Sequence, residues 1–190
     1  MTTLIGGLIL FLGMHSISIV SPAGRDALEK QFSPLAWRIL YSLVSAIGLY
    51  LIIKGYAAAR LDPTLVWVPP TWTRHLAALL NLPIFIFFLA SYLPGKISKA
   101  LKHPQLVAVK AWSLAHLIAN GMLHDMLLFG AFLAWAVVDR ISMKRRKERK
   151  RPQAPASGIN DVIAVVGGLA AYGAFAFWAH QAWIGVAPFG

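Results

Sequence analysis

Long apolar segments recur along this chain, and they constrain its fold more than any other feature of the sequence. A helix needs roughly 20 predominantly apolar residues to cross a bilayer, and segments close to this length make up most of the 190 residues. Within lipid a helix is favoured because it satisfies its own backbone polar groups. The sequence therefore predicts an all-α protein, a polytopic transmembrane helical bundle with about six spans.

Turn-forming or charged residues separate the six predicted spans. In chain order the spans are Thr2–Val20, Leu35–Ile53, Leu76–Leu93, Pro104–Asn120, Met122–Val138 and Asp161–Trp183. The fourth and fifth are short for a membrane crossing. Pro83 predicts a kink in the third span, and Gly121 predicts a glycine cap at the end of the fourth. Gly6 and Gly13 share one face of the first span and favour close helix packing there.

The composition agrees with a membrane protein of one domain. Hydrophobic residues make up 58% of the chain and charged residues 13%, which exceeds the apolar share of soluble domains. A length of 190 residues suits a single membrane domain over residues 1–190. The absence of cysteine excludes disulfides, thiolate ligands and iron–sulfur clusters. The first span has no basic segment before it and no small-residue cleavage site, so we expect it to be retained.

The excess of basic residues indicates membrane orientation rather than nucleic-acid binding. The net charge is +11, and eight of the 18 Lys and Arg residues lie close together: Arg140, Lys144, Arg145, Arg146, Lys147, Arg149, Lys150 and Arg151. Cytoplasmic loops are enriched in Lys and Arg, so residues 139–159 are predicted to form a basic cytoplasmic loop that faces anionic lipid. With six spans, 13 of the 18 basic residues lie on the cytoplasmic side. Both termini are then predicted to lie outside.

Of the six histidines, His15 and His116 are the two placed most deeply within predicted spans. An ionisable side chain is costly there unless it has a partner or a function, and imidazole is a common ligand of haem and other metals. Trp112, His116 and Asn120 follow one another at i, i+4 spacing and share a helix face. That face offers a nitrogen ligand beside an aromatic ring and an amide. A hydrogen bond to a neighbouring helix is the alternative for each histidine.

The other charged and polar residues near the spans have simpler interpretations. Lys110 is a candidate for holding a carboxylate such as a haem propionate, although it can also extend to the interface. The histidines near the predicted outer interface are interpreted as structural; they are His75, His124 and His180. Asp125 either orients the neighbouring imidazole or marks the interface.

Several kinds of site are missing from the sequence. It has no glycine-rich phosphate loop, no zinc-binding His-Glu-x-x-His motif and no cysteine nucleophile. A proton-coupled transporter usually has a carboxylate deep within the membrane, whereas Asp125 and Asp139 lie near the ends of the predicted spans. No inverted repeat is evident either. A transporter is therefore the least favoured class.

Ordered motifs along nearly the whole chain resemble the signature of the NnrU family. They are Gly13-Met14-His15-Ser16, Arg38 with Tyr41-Ser42-Leu43, His75-Leu76 with Leu82-Pro83 and Leu93-Pro94-Gly95, Lys102-His103-Pro104-Gln105-Leu106, Ala115-His116-Leu117-Ile118-Ala119-Asn120-Gly121, Leu128-Phe129-Gly130 and Trp135-Ala136. The resemblance implies a multi-pass protein of the bacterial inner membrane, linked by the family name to nitrite and nitric oxide reduction in denitrification. The family is similar to plant zeta-carotene isomerase, a membrane enzyme with haem b that converts a cis double bond to trans.

The resemblance also implies a haem b site with His15 and His116 as its axial ligands. Their predicted positions differ by roughly 12 Å along the membrane normal, so His103, which lies in the same half of the membrane as His15, is the alternative partner. The plant enzyme has a cysteine one turn before the second histidine, where this chain has Ser113. Met122 also stands where the family commonly has an acidic residue. We therefore expect haem binding to transfer more readily than the reaction.

Three classes of function remain open from the sequence. The first is a haem-b membrane protein that either isomerises an apolar small molecule or takes part in redox chemistry. The second is a non-enzymatic accessory or assembly factor for denitrification. The third is a transporter. A visible spectrum of the purified protein distinguishes the first class from the others, because bound haem has a strong Soret band.

Overall fold

The computed structural model describes residues 1–146 and 152–189, and these residues are mostly helical. The elements in chain order are α1 Thr2–Val20, α2 Pro22–Phe32, α3 Pro34–Ala59, α4 Thr73–Asn81, α5 Ile84–Ala90, α6 Lys96–Leu101, α7 Pro104–Ala119, α8 Leu123–Ser142, α9 Ile159–Ala174, a π-helical turn Phe175–Ala179 and α10 His180–Ile184. Extended pairing within the described ranges is limited to one antiparallel bridge between Leu65 and Met122. The predicted all-α class is confirmed.

Among the described residues, four helical segments are long and apolar enough to cross a membrane. They are Thr2–Val20, Pro34–Ala59, Thr73–Ala90 and Asn160–Ile184. The predicted fourth and fifth spans correspond to α7, which has only 16 residues, and α8, which carries Asp125, Asp139 and Arg140. The sequence-based number of six spans is therefore approximate, whereas the multi-pass character is shown.

The outer surfaces of these helices are apolar. Ile9 in α1 is 69% exposed, Val166 in α9 is 63% exposed and Phe177 in the π-helical turn is 74% exposed. Large apolar patches are unfavourable against water, but they are the surface that lipid requires. This distribution identifies a multi-pass membrane protein whose helices present large side chains to the bilayer.

The described chain divides into two compact units, and each unit is built from two separate stretches. Unit 1 contains residues 1–68 and 121–146, and unit 2 contains residues 69–120 and 152–189. Unit 1 therefore consists of α1, α2, α3 and α8. Unit 2 consists of α4 to α7, α9, the π-helical turn and α10.

Glycines allow α1 and α3 of unit 1 to pack backbone against backbone. A Cβ atom added to Gly7 would lie 2.6 Å from the Ile52 nitrogen, and one added to Gly48 would lie 2.8 Å from the Phe11 nitrogen. Gly55 is similarly close to the backbone at the start of α1. Small residues at such crossings are typical of membrane helix pairs, because van der Waals contact replaces the hydrophobic effect there.

Two glycine-based expectations are corrected by the structure. Gly6 and Gly13 have nothing within 4 Å of an added Cβ atom, so they do not form the packing face of α1. Gly121 does not cap α7 in a left-handed conformation, because α7 ends at Ala119 and the residue after it, Asn120, has an extended backbone. The Gly121 carbonyl instead accepts hydrogen bonds from the backbone nitrogens of Val66 and Trp67.

Unit 2 is organised around a broken third span and a polar junction. Helix α4 ends at Asn81 and α5 begins at Ile84, so the helical segment is interrupted where Pro83 predicts a kink, since proline lacks the N–H that would continue the helix. The carboxylate of Asp161 accepts hydrogen bonds from the Lys96 and Ile97 nitrogens at 2.8 and 3.0 Å. This contact ties the start of α6 to the start of α9.

The basic segment is only partly described. Helix α8 reaches Ser142, and the buried Asp139 forms an ion pair with Arg146. The remaining basic residues of the predicted loop lie outside the described residues: Lys147, Arg149, Lys150 and Arg151. Its cytoplasmic location stays a prediction.

Candidate functional site

Unit 2 contains a cavity of about 660 Å³, within the usual volume range of small-molecule and cofactor sites. Its walls come from α4, α5, α7, α9, the π-helical turn, α10 and the segment after α10. Aromatic and small apolar residues provide most of the surface. The polar side chains that line it are Arg74, Asn81, His116, Asn120, Tyr172 and His180.

His116 lines this cavity, and one of its ring nitrogens has a defined partner. Its Nδ1 atom lies 2.8 Å from the carbonyl oxygen of Trp112, one helical turn earlier. A carbonyl oxygen can only accept, so Nδ1 carries the hydrogen and Nε2 carries the lone pair in the neutral ring. The Trp112 ring lies 5.5 Å from the imidazole, and the Asn120 side chain donates to the His116 carbonyl at 2.9 Å. The structure thus brings these three predicted residues to one cavity.

His180 lines the same cavity, and it is fixed in a similar way. Its Nδ1 atom donates to the carbonyl oxygen of Val186 at 2.7 Å. This bond requires the chain to turn back after α10, which Gly185 allows with a φ of 77°, a conformation that glycine adopts without strain. Phe175 packs edge-on against the imidazole at 5.6 Å.

The other polar lining residues are held by α4 and α9. Tyr172 donates a hydrogen bond from its hydroxyl to the carbonyl oxygen of Ala78 at 3.2 Å. Arg74, in the first turn of α4, brings a guanidinium to the cavity. Lys110, the predicted carboxylate partner, is not among the lining residues. The cavity therefore combines an apolar interior with imidazole, amide, phenol and guanidinium groups.

His15 belongs to unit 1, where it has a separate aromatic environment. Its Nδ1 atom donates to the Phe11 carbonyl oxygen at 2.7 Å, and its ring stacks on the Phe11 ring at 4.3 Å. The rings of Tyr41 and Trp135 lie at 5.2 and 5.9 Å. The alternative ligand, His103, stands at the N-terminal end of α7, at the opposite end of that helix from His116.

Unit 1 also holds a buried polar cluster to which sequence reasoning gave little weight. Asp125 and His124 are each 4% exposed. The Tyr56 hydroxyl donates to Asp125 at 2.6 Å, and His124 Nε2 lies 3.7 Å from the same carboxylate oxygen. The adjacent pair His124-Asp125 is visible in the sequence. Its burial depends on packing with α3, and the sequence around the pair does not indicate that packing.

The contribution of His180 to the cavity was not predicted either. The predicted depth of His180 in the membrane was an available signal, because His116 and His180 are both predicted to lie toward the outer side of the membrane. The i, i+4 rule did not connect Phe175 with His180, because the intervening turn is π-helical. Within the described residues, no group of three or more His, Cys, Asp or Glu side chains is arranged to hold a metal ion.

The helices and the cavity define a multi-pass membrane protein with a mainly apolar internal site that contains imidazole nitrogens. A family model described as NnrU protein matches residues 3–188. This match covers nearly the whole chain, and the protein belongs to the NnrU family. No curated protein and no solved structure matches it.

Proposed function

We propose that this protein is a haem-b-binding protein of the bacterial inner membrane, in which His116 would hold the haem iron in the cavity of unit 2. The observation that carries the proposal is the Nδ1 bond from His116 to Trp112. Ligating histidines commonly donate their other ring nitrogen to a carbonyl or carboxylate, which fixes the tautomer and raises the basicity of the ligand nitrogen.

The residues around the cavity fit haem chemically. Imidazole nitrogen is a standard axial ligand, and bound haem b supplies one-electron redox chemistry. Phe85, Phe175 and Phe189 give apolar walls suited to a flat macrocycle. Arg74 is the lining residue that would hold a propionate carboxylate, because guanidinium binds carboxylates through paired hydrogen bonds.

The chain's own residues have distinct functions in this proposal. The Trp112 carbonyl keeps the His116 lone pair on Nε2. The Asn120 side-chain amide donates a second hydrogen bond to the His116 carbonyl, which also accepts from the Asn120 backbone nitrogen at 3.0 Å. The aromatic walls exclude water, and the polarity and solvent exposure of a haem site influence its redox potential.

Within the NnrU family, the haem would serve a redox or accessory function associated with nitrite and nitric oxide metabolism. The alternative is isomerisation of an apolar molecule like that of the plant enzyme. Ser113 stands at the position of the plant enzyme's redox-linked cysteine. It is fully buried and offers a hydroxyl instead of a thiolate, which argues against the same ligand chemistry. We therefore favour the redox or accessory function.

Haem content of purified protein tests the proposal. The protein is produced with added haem precursor and purified in detergent, and haem b per chain is measured as the pyridine haemochrome. We expect haem in the native protein and in His75→Ala, a matched histidine variant at an exposed position. We expect His116→Ala to lose most of it. If the native protein takes up no haem, even when hemin is added, the proposal is wrong and the accessory-factor alternative is favoured.

A further inference from the structure

We infer that residues 185–189, the segment that follows α10, form a lid over the cavity of unit 2. The lid turns at Gly185 and admits an amphiphilic small molecule from the membrane surface. It is independent of the proposed function, because it governs how any occupant enters the cavity. Four consecutive residues of the lid line that cavity: Val186, Ala187, Pro188 and Phe189.

The lid has one side toward the cavity and the other side outward. Val186 and Phe189 line the cavity, yet they remain 43% and 51% exposed. Helix α10 ends at Ile184, and residues 185–189 are not helical. A partly exposed segment outside regular structure opens at a lower free energy than packed helices do. The lid is therefore the wall of the cavity that moves most easily.

Gly185 has the properties of a hinge. Its φ of 77° and ψ of 19° lie in the left-handed region, which glycine adopts without strain. A Cβ atom added there would meet nothing within 4 Å, so no neighbouring group obstructs rotation. Hinge motions are absorbed by a few residues at the ends of regular elements. Rotation at this one residue displaces all four lining residues of the lid together.

Two contacts hold the lid in its closed position. His180 Nδ1 donates to the Val186 carbonyl oxygen at 2.7 Å. The Phe189 ring stacks on the Phe177 ring, with 5.2 Å between the ring centroids and 28° between the ring planes. One hydrogen bond and one aromatic pair contribute only modestly to stability. The closed position is therefore favoured, but it is open to reversal.

The lid lies at the end of a membrane crossing. The candidate span Asn160–Ile184 ends at the residue before it. Trp178 and Trp183 near this end are 64% and 72% exposed, and their rings lie 6.0 Å apart. Exposed tryptophan is typical of the boundary between lipid and water. When the lid opens, the cavity is therefore accessible from the membrane surface.

The lining of the cavity indicates which molecules the lid admits. Phe85 and Phe175 provide apolar walls, and Arg74 provides a guanidinium, which binds acidic groups through paired hydrogen bonds. A molecule with an apolar body and an acidic end matches this combination. Such amphiphiles concentrate at the membrane surface, which is where the lid opens.

Thiol labelling tests the lid, because the chain has no cysteine and an introduced thiol has no background. Ala115→Cys places one thiol in the cavity wall, at a fully buried position. The protein in lipid nanodiscs is reacted with a bulky fluorescent maleimide, with and without Phe177→Ala. Phe177 is 74% exposed and is not a lining residue, so the variant releases Phe189 without changing the wall. We expect labelling to be about three- to tenfold faster, because losing an aromatic pair makes opening more frequent.

Two controls and a second variant make the result specific. Phe88→Ala removes a matched exposed phenylalanine outside the lining and should leave the labelling rate unchanged. Ala164→Cys reports on a fully buried position of α9 outside the lining, and its labelling should not respond to Phe177→Ala. His180→Phe keeps an aromatic ring but loses the Nδ1 donor, so it should accelerate labelling at position 115 alone.

The outcomes decide for or against the lid without reference to haem. Faster labelling at position 115 alone, in both lid variants, supports it. Native labelling rates in Phe177→Ala and His180→Phe would show that residues 185–189 are a fixed wall. Equal acceleration at positions 115 and 164 would show general loosening of unit 2, and the lid would again be wrong. The proposed function is judged separately by haem content.

Discussion

At the scale of single residues, the Asp125 carboxylate is the least expected group in unit 1. It is nearly inaccessible, and a buried carboxylate is unfavourable unless hydrogen bonds or positive charge compensate it. Two favourable features are present: Asp125 lies in the first turn of α8, where the helix dipole stabilises negative charge, and Tyr56 donates a short hydrogen bond. Tyr56 thereby links α3 to α8.

We predict that Tyr56→Phe destabilises the protein by about 1–3 kcal/mol, because a buried acceptor loses its donor. Tyr50→Phe is the matched control, since Tyr50 is exposed on the same helix and should change stability little. The measurement is the thermal unfolding midpoint in detergent. Equal midpoints for the two variants would show that the Tyr56–Asp125 bond contributes nothing to stability.

At the scale of helices, the α1–α3 pair depends on which glycine faces the partner. Gly6 and Gly7 are neighbours in sequence, yet only Gly7 lies against α3. Apolar length predicts that both helices exist, but it does not predict their rotation. A one-residue difference turns a side chain by about 100°, which separates a lipid-facing glycine from a packing glycine.

We predict opposite effects for Gly7→Ala and Gly6→Ala. The new Cβ atom at position 7 would lie 2.6 Å from the Ile52 nitrogen, so α1 and α3 must separate, at a cost of about 1–3 kcal/mol. Position 6 has open space, and alanine there should be neutral or stabilise the helix by up to about 1 kcal/mol. Folded yield by size-exclusion chromatography after graded heating distinguishes them. Similar losses for both variants would contradict the close α1–α3 contact.

At the scale of the whole molecule, orientation follows from charge. We predict that a fluorescent protein fused after Lys150 is bright and that alkaline phosphatase fused after Asp62 is active, because the basic segment is retained in the cytoplasm. Each site also receives the opposite reporter as its control. Strong phosphatase activity after Lys150 would show that the predicted topology is inverted. The expected contact of the basic segment with anionic lipid would then be wrong as well.

Much of the helical architecture was predictable, because membrane helices follow from apolar length and local signals. Ser33 and Pro34 are typical residues for a helix start, and the Ser33 hydroxyl accepts from the Ala36 nitrogen at the start of α3. The short helices α2 and α6 fall outside the predicted spans, because their compositions are not apolar. The division into two units could not be predicted, because it depends on long-range pairing such as that of Leu65 with Met122.

The candidate site was predictable only where it follows regular helix geometry. Trp112, His116 and Asn120 share a face through i, i+4 spacing, and they line one cavity. His180 reaches that cavity through a π-helical turn and a reversal at Gly185. Neither feature has a reliable sequence signal, so the sequence placed His180 at the interface without a partner.

The stretches of the two units alternate along the chain. This alternation determines the order in which the units can be completed during synthesis. Helices α1 to α3 leave the ribosome first, and α8 follows only after the 52 residues from Pro69 to Asn120. At about 5–20 residues per second, that interval is about 3–10 s. The glycine-mediated α1–α3 contact is available throughout it. The cavity of unit 2 gains its last wall with Phe189, so a cofactor can be enclosed there only when translation has passed that residue.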